Sequence, residues 1–262
     1  MNFSGIIGVI SAAAVFVFVI IESASGREIF LNSHAIIIVM GGTMAATLLC
    51  FPIGTLVTLV KVFFQKIIGK HNVHHNEVIA EVVELARGYI EDPAYLQNNY
   101  EKIKNPFLKE AVELTVQSGI SASEVDAILE MRALTHFKRY EGEAAIFKTI
   151  SKFPPAFGLM GTTVGMIALL QGIGTPDSFK TIGSSMAVGL VATFYGIAIA
   201  NLIFIPMGEN LSKLNKEDEV MREVVIQGIK LLRLKSHPLV VEEYLKSFLL
   251  PKERQSLPKQ AA

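Results

Sequence analysis

Residues 153–171 read FPPAFGLMGTTVGMIALLQ, two adjacent prolines followed by three glycines and two threonines in a run without a charged side chain. A run of this kind crosses a bilayer only as a helix, because lipid offers no partner to backbone amides and carbonyls. Helix breakers at its start and hydroxyls along its length therefore need a reason beyond lipid solubility. The rest of the chain supports the membrane reading. Its 262 residues are 51% hydrophobic with a mean hydropathy of +0.44, and its charge is concentrated in a few stretches. That is the pattern of a membrane protein with water-exposed parts.

Four stretches have the length and composition of spans: Gly5 to Ile21, Ala35 to Val60, Phe153 to Gly174 and Ile182 to Met207, none with Asp, Glu, Lys or Arg. Each is near or above the roughly 17 to 25 residues a tilted helix needs. The first lacks the basic start and the Ala-x-Ala site of a cleaved signal peptide, so it reads as a span. Only Arg27 and Lys180 among the basic residues fall in the short loops after the first and third spans. The positive-inside rule then places both termini and the segment between spans two and three in the cytoplasm. A net charge of zero argues against a nucleic-acid partner held by a broad basic surface. The single cysteine, Cys50, lies in an apolar span and reads as a small buried hydrophobe.

The insertion from about Gln65 to Lys152 carries apolar residues spaced by three or four, among them Val78, Val82, Leu85 and Tyr89, and reads as helical. Pro93 and Pro106 divide it into short helices. Ser121 with Glu124 three later has the form of a capping box, opening a long helix expected to run through Leu129 and Phe147 towards Phe153. The fourth span is expected to continue past Met207 into the charged stretch 209–235. The fold class is thus all-α: an integral membrane protein with four transmembrane helices, two of them extended into a helical cytoplasmic domain. The corresponding divisions are 1–64 and 153–207 for the membrane, 65–152 and 208–262 for the cytoplasm. His71, His74 and His75 cluster, but no acidic or cysteine partner stands at ligand spacing, and a juxtamembrane loop is the reading. With no phosphate-binding glycine loop, nucleophile elbow or paired catalytic carboxylates, the chain does not read as an enzyme and needs no cofactor.

On the third span Gly158, Thr162 and Gly165 share one side with Gly172; on the fourth, Ser185, Gly189, Thr193, Gly196 and Ala200 do so. Stripes of small and hydroxyl side chains let helices pack closely. Hydroxyls between glycines can also line a narrow polar seam for a cation or proton. Thr163 points about 100° away from that side. Pro154 and Pro155 lack amide donors, which kinks a helix arriving from Phe147 or marks the start of a new one. Pro206 stands at the same depth on the fourth span, so the two proline sites form either a hinge or a pair of helix ends. An ion path needs an ionisable group within the membrane. These spans contain none, so a conducting assembly must take its carboxylate from another subunit.

IVMGGTMAATLLCFP at 38–52, FPPAFGLMGTTVGM at 153–166, MAVGLVATFYGIAIANLIFIP at 186–206 and HPLVVEEYLKSFLLPKER at 237–254 together resemble the MotA family, the stator subunits of the bacterial flagellar motor. The resemblance runs nearly end to end, with the motifs in the family's order. It implies a homo-pentamer in the bacterial inner membrane around two copies of a MotB-type partner, which supplies the membrane aspartate and a peptidoglycan anchor. Ion flow past that aspartate would turn the ring against the rotor switch protein FliG.

Position by position, the resemblance implies that Pro155 and Pro206 couple ion flow to movement and that Thr162 and Thr193 lie on the ion path. It also implies that Arg87, in ELARGYIED, faces the rotor. Gln97 stands where the family usually carries a glutamate, so Glu91 and Asp92 are candidates for the acidic rotor charges. Sodium-driven relatives tend to have a hydroxyl just before the threonine matched by Thr193; Ala192 here favours H+, with Na+ as the alternative. A TolQ/ExbB-type energiser is the neighbouring reading, but it usually has one span ahead of the cytoplasmic insertion where this chain has two. A non-conducting scaffold, its glycine stripes serving only to pack helices, is the third.

Overall fold

The computed structural model describes residues 3–22, 30, 32–58, 61, 75–117, 119–173 and 178–254. Among these residues the regular structure is helical and no strand occurs. In chain order the helices are α1 (Phe3–Glu22), α2 (Ser33–Cys50), α3 (His75–Glu91), α4 (Tyr95–Asn99), α5 (Pro106–Val116), α6 (Ala122–Ile150), α7 (Phe153–Gly172), α8 (Ser178–Ile199), α9 (Ile205–Arg233), α10 (Pro238–Lys246) and α11 (Pro251–Arg254). They divide into two units, 1–71 with 141–212 and 72–140 with 213–262. Three helical stretches among the described residues are long and apolar enough to cross a membrane: Ser33–Cys50, Ala122–Gly172 and Ile182–Arg233.

In the first unit, α2 opens where the Asn32 side chain accepts the Ala35 amide at 3.1 Å. It widens into a π turn over Ile37–Gly41 and stops at Phe51, whose backbone is extended (φ −135°, ψ 140°). Pro52 is the cause, since its ring pushes the preceding residue out of the helical region. The uninterrupted span expected from Ala35 to Val60 is therefore corrected: helix resumes only at 53–58, and 59–60 lie outside the described residues. Cys50 is also corrected, because among the described residues it is exposed at the end of α2.

Of the two readings of Pro154 and Pro155, a kink or the start of a new helix, the structure has the second. α6 ends at Ile150 and a turn at Ser151–Lys152 follows, with the Lys152 amide reaching back only to the Thr149 carbonyl at 3.2 Å. Proline nitrogens at 154 and 155 cannot bond the Ile150 and Ser151 carbonyls, so the regular ladder cannot pass. They fall in the first turn of α7, where an amide has no helical partner in any case. The fourth apolar stretch does continue as expected, α8 passing through a π turn at Ala200–Phe204 into α9. In a straight helix the ring of Pro206 would meet the Leu202 carbonyl, and the wider turn covers that residue.

The two units are built on different packing. Buried apolar side chains around α2 and α8 are few and mostly small, Ala35, Val39, Val191 and Ala192. Leu159, Ile167 and Leu190 are each more than half exposed. Close backbone approach takes the place of a hydrophobic core, as in helices surrounded by lipid tails. The second unit has a conventional core, with Ile79, Leu108, Leu129, Ile226, Ile229 and Leu245 wholly buried. Its helices start as the sequence indicates. Asn105 caps α5 by accepting the Phe107 and Leu108 amides at 3.0 Å, with Pro106 in the first position. Before α6, Ser121 and Glu124 exchange the reciprocal bonds of a capping box.

Candidate functional site

The site is built where α7 and α8 lie backbone to backbone. A methyl group added at Gly158 would stand 2.9 Å from the Ala192 carbonyl oxygen, at Gly165 2.6 Å from that of Ser185, and at Gly189 2.9 Å from the Thr162 Cα. None of these separations is possible for a real Cβ, so glycine is what allows the approach. Gly161, which the sequence analysis passed over, belongs to the same face: a methyl there would meet the Ala192 side chain at 2.5 Å. Its spacing of three from Gly158 was the available signal.

Close approach brings the two threonines together. Their hydroxyls are hydrogen-bonded to each other. Thr162 Oγ1 also lies 3.0 Å from the Gly189 carbonyl oxygen and 3.3 Å from that of Gly158. Thr193 Oγ1 lies 3.2 Å from each of the same two oxygens. The pair has two hydrogens for one Thr–Thr bond and two carbonyls, so one hydrogen joins the threonines and the other goes to a glycine carbonyl. Either hydroxyl can be the one that donates to its partner. That is a unit in which hydrogen bonds can reverse direction without any heavy atom moving. Thr163 is exposed and donates to the Leu159 carbonyl at 3.1 Å, apart from the pair.

The proline sites differ. Pro154 is buried and Pro155 half-buried against α8, where a methyl on Gly196 would stand 2.3 Å from the Pro154 carbonyl oxygen and 3.1 Å from the Pro155 Cα. Pro206 is exposed. The first proline site is therefore clamped to the neighbouring helix, while the second shapes its own helix through the π turn.

Arg87, Glu91 and Asp92 lie in the other unit. Arg87 and Glu91 are exposed one turn apart on α3, and Gly88 between them is held under the Tyr95 ring. Asp92 ends the helix: its Oδ1 accepts the Ala94 amide at 2.8 Å and its carbonyl accepts the Tyr95 amide at 2.9 Å. Its carboxylate forms an Asx turn around Pro93, a local structural task. Gln97 is exposed on α4. His75 Nε2 lies 3.1 Å from the Glu217 carbonyl oxygen, while His71 and His74 lie outside the described residues. Among the described residues no three His, Cys, Asp or Glu side chains gather as a metal site.

Residues 99–224 match the family described as the MotA/TolQ/ExbB proton channel family. Motility protein A of Borreliella burgdorferi is 33% identical over 181 residues, 69% of this chain and 67% of that protein. The chain belongs to the MotA family. The chemotaxis protein PomA of Vibrio alginolyticus is 28% identical over 95% of this chain and 96% of its own. A structure of the flagellar MotAB stator complex from Bacillus subtilis superposes with a TM-score of 0.86 at 25% identity, over 98% of this chain and 100% of that one. The MotA family resemblance in the sequence is thus supported along almost the whole chain.

Proposed function

We propose that this chain, a flagellar stator subunit by family, forms the ion-conducting ring of the motor and couples proton flow to rotor torque together with a MotB-type partner. The observation that carries the reading is the Thr162–Thr193 hydroxyl pair with its two shared glycine carbonyls. A sodium ion must exchange hydration for several oxygens at once, and the backbone contacts at Gly158, Gly165 and Gly189 leave no room for it between the helices. Ala192, wholly buried next to Thr193, adds no side-chain oxygen. A proton needs only the reversible hydrogen bonds that the pair provides.

In this reading α1, α2, α7 and α8 are four membrane spans, with the termini and the second unit in the cytoplasm of a bacterium and the spans in its inner membrane. The apolar runs 5–21, 35–60, 153–174 and 182–207 contain no carboxylate, so the partner brings the membrane aspartate as well as the peptidoglycan anchor, and five copies of this chain surround it. Pro155 and Pro206 transmit the movement, and Arg87 with Glu91 meets FliG. Asp92 is the weaker rotor candidate, being used in its own turn. Similarity over 96% of the length of PomA supports the motor reading over a TolQ/ExbB-type energiser. The glycine contacts would suit a non-conducting scaffold equally well, and the hydroxyl pair is what supports conduction. In a motility-null host carrying the chain and its partner, swimming should be indifferent to external sodium at fixed pH and abolished by a protonophore. Thr162→Val and Thr193→Val should abolish it while the complex still assembles. Swimming that rises and saturates with sodium would overturn the ion assignment, and normal swimming of both valine variants would leave the scaffold reading.

A further inference from the structure

The α7–α8 seam opens, at the end away from Gly196, into a cavity of about 550 Å³. Its wall includes Asn32 and His34 at the start of α2, Gly165 and Ala168 on α7, and Ser184 and Ser185 on α8. Gly165 and Ser185 are also members of the packed seam, since they meet backbone to backbone. Gly165 lies one turn along α7 from Thr162, and Ser185 two turns along α8 from Thr193. The cavity therefore ends against the packed seam, one turn of α7 from Thr162 and two turns of α8 from Thr193. It is large enough for several waters, and Asn32, His34, Ser184 and Ser185 are the polar side chains on a wall that is otherwise apolar.

His34 is exposed at this wall, and among the described lining residues it is the one titratable group. The described lining residues of α7 and α8 are glycine, alanine, valine and serine. Tyr195 of α8 faces the same segment, but its hydroxyl donates to the Phe30 carbonyl. The Asn32 side-chain oxygen is occupied by the cap of α2. Hydroxyl and amide groups can pass a proton along a chain of waters but do not hold one, whereas an imidazole accepts a proton on one nitrogen and releases another from the second.

We propose that His34 is the proton-relay residue of this cavity. It takes a proton from water at the open side on one ring nitrogen and gives up the proton of the other nitrogen to cavity water, for onward passage towards Thr162 and Thr193. This rests on the proton reading of the seam. The ligand is a hydronium ion delivered through water, and the part played by His34 is capture and transfer, separate from the seam itself.

Proton flux is measured in membrane vesicles containing the chain assembled with its carboxylate-bearing partner, with assembly checked by copurification. His34→Ala should lower flux about fivefold or more, and imidazole added on the cavity side should restore it, since the small base fits the space left by the side chain. His34→Gln, similar in size and polarity but unable to hold a proton, should lower flux likewise without rescue. Native flux in either variant, or a loss in His34→Ala that imidazole does not restore, overturns the relay while leaving the seam reading intact. If the native assembly carries no protons, or Thr162→Val carries them normally, the seam reading falls and the relay falls with it.

Discussion

Gly165 and Gly142 show how one residue type carries opposite meanings in this molecule. A methyl at Gly165 would press on the Ser185 carbonyl, whereas one at Gly142, inside α6, would meet nothing within 4 Å. Gly165→Ala should therefore separate α7 from α8 and cost about 1 to 3 kcal/mol, the range for overpacking. Gly142→Ala should add about 1 kcal/mol, the difference in helix propensity. The check is the thermal midpoint of the detergent-solubilised complex, which should fall for the first variant and hold or rise for the second. If both behave alike, the close contact of α7 with α8 is not what glycine provides at position 165.

At the scale of elements, helix junctions are where the chain departs from regularity. Pro154 and Pro155 stop the ladder after Ile150, and their turn is held on Gly196 of α8. Pro155→Ala restores one amide donor while keeping the Cα that packs on Gly196. The variant should still copurify with the partner but rotate the motor more slowly; loss of the complex would instead make Pro155 a folding residue. The start of α6 carries a pH dependence of its own. Hydrogen bonds from Ser121 hold the Glu124 carboxyl below its ordinary value. A carboxyl whose value is lower folded than unfolded stabilises the fold above the unfolded value, and that contribution disappears as pH falls through the folded one. Stability should therefore fall as pH drops through the folded value of this carboxyl, and Glu124→Gln should flatten that part of the stability profile as followed by helical circular dichroism.

For the whole molecule, the division into two units separates the proposed ion path from the proposed rotor face. The hydroxyl pair and both proline sites lie in one unit, while Arg87 and Glu91 lie exposed in the other. Arg87→Glu should lower swimming speed with proton flux and partner binding unchanged. A parallel loss of flux would mean that Arg87 supports the fold rather than the rotor contact. The same division explains the contrast in packing. Large apolar side chains are turned outward around Leu159, Ile167 and Leu190 and inward around Ile79, Leu108 and Leu245, as lipid and water respectively require.

The amino-acid sequence by itself determined the helical class, the apolar stretches, the capping box at Ser121 and Glu124, the stripes that carry Thr162 and Thr193, and the family. These are local or periodic properties, and neighbouring residues along the chain are enough to produce them. Only the tertiary structure decided that Thr162 and Thr193 share one hydrogen-bonded unit with the Gly158 and Gly189 carbonyls, because that depends on the rotation and separation of two helices. It alone ended α2 at Phe51 and α6 at Ile150, where a proline's effect turns on whether the chain keeps or abandons its helix. It also tied Asp92 into a turn and set His34 on the wall of a cavity. Which residue meets which is settled by packing between distant segments, and no spacing along the chain encodes it.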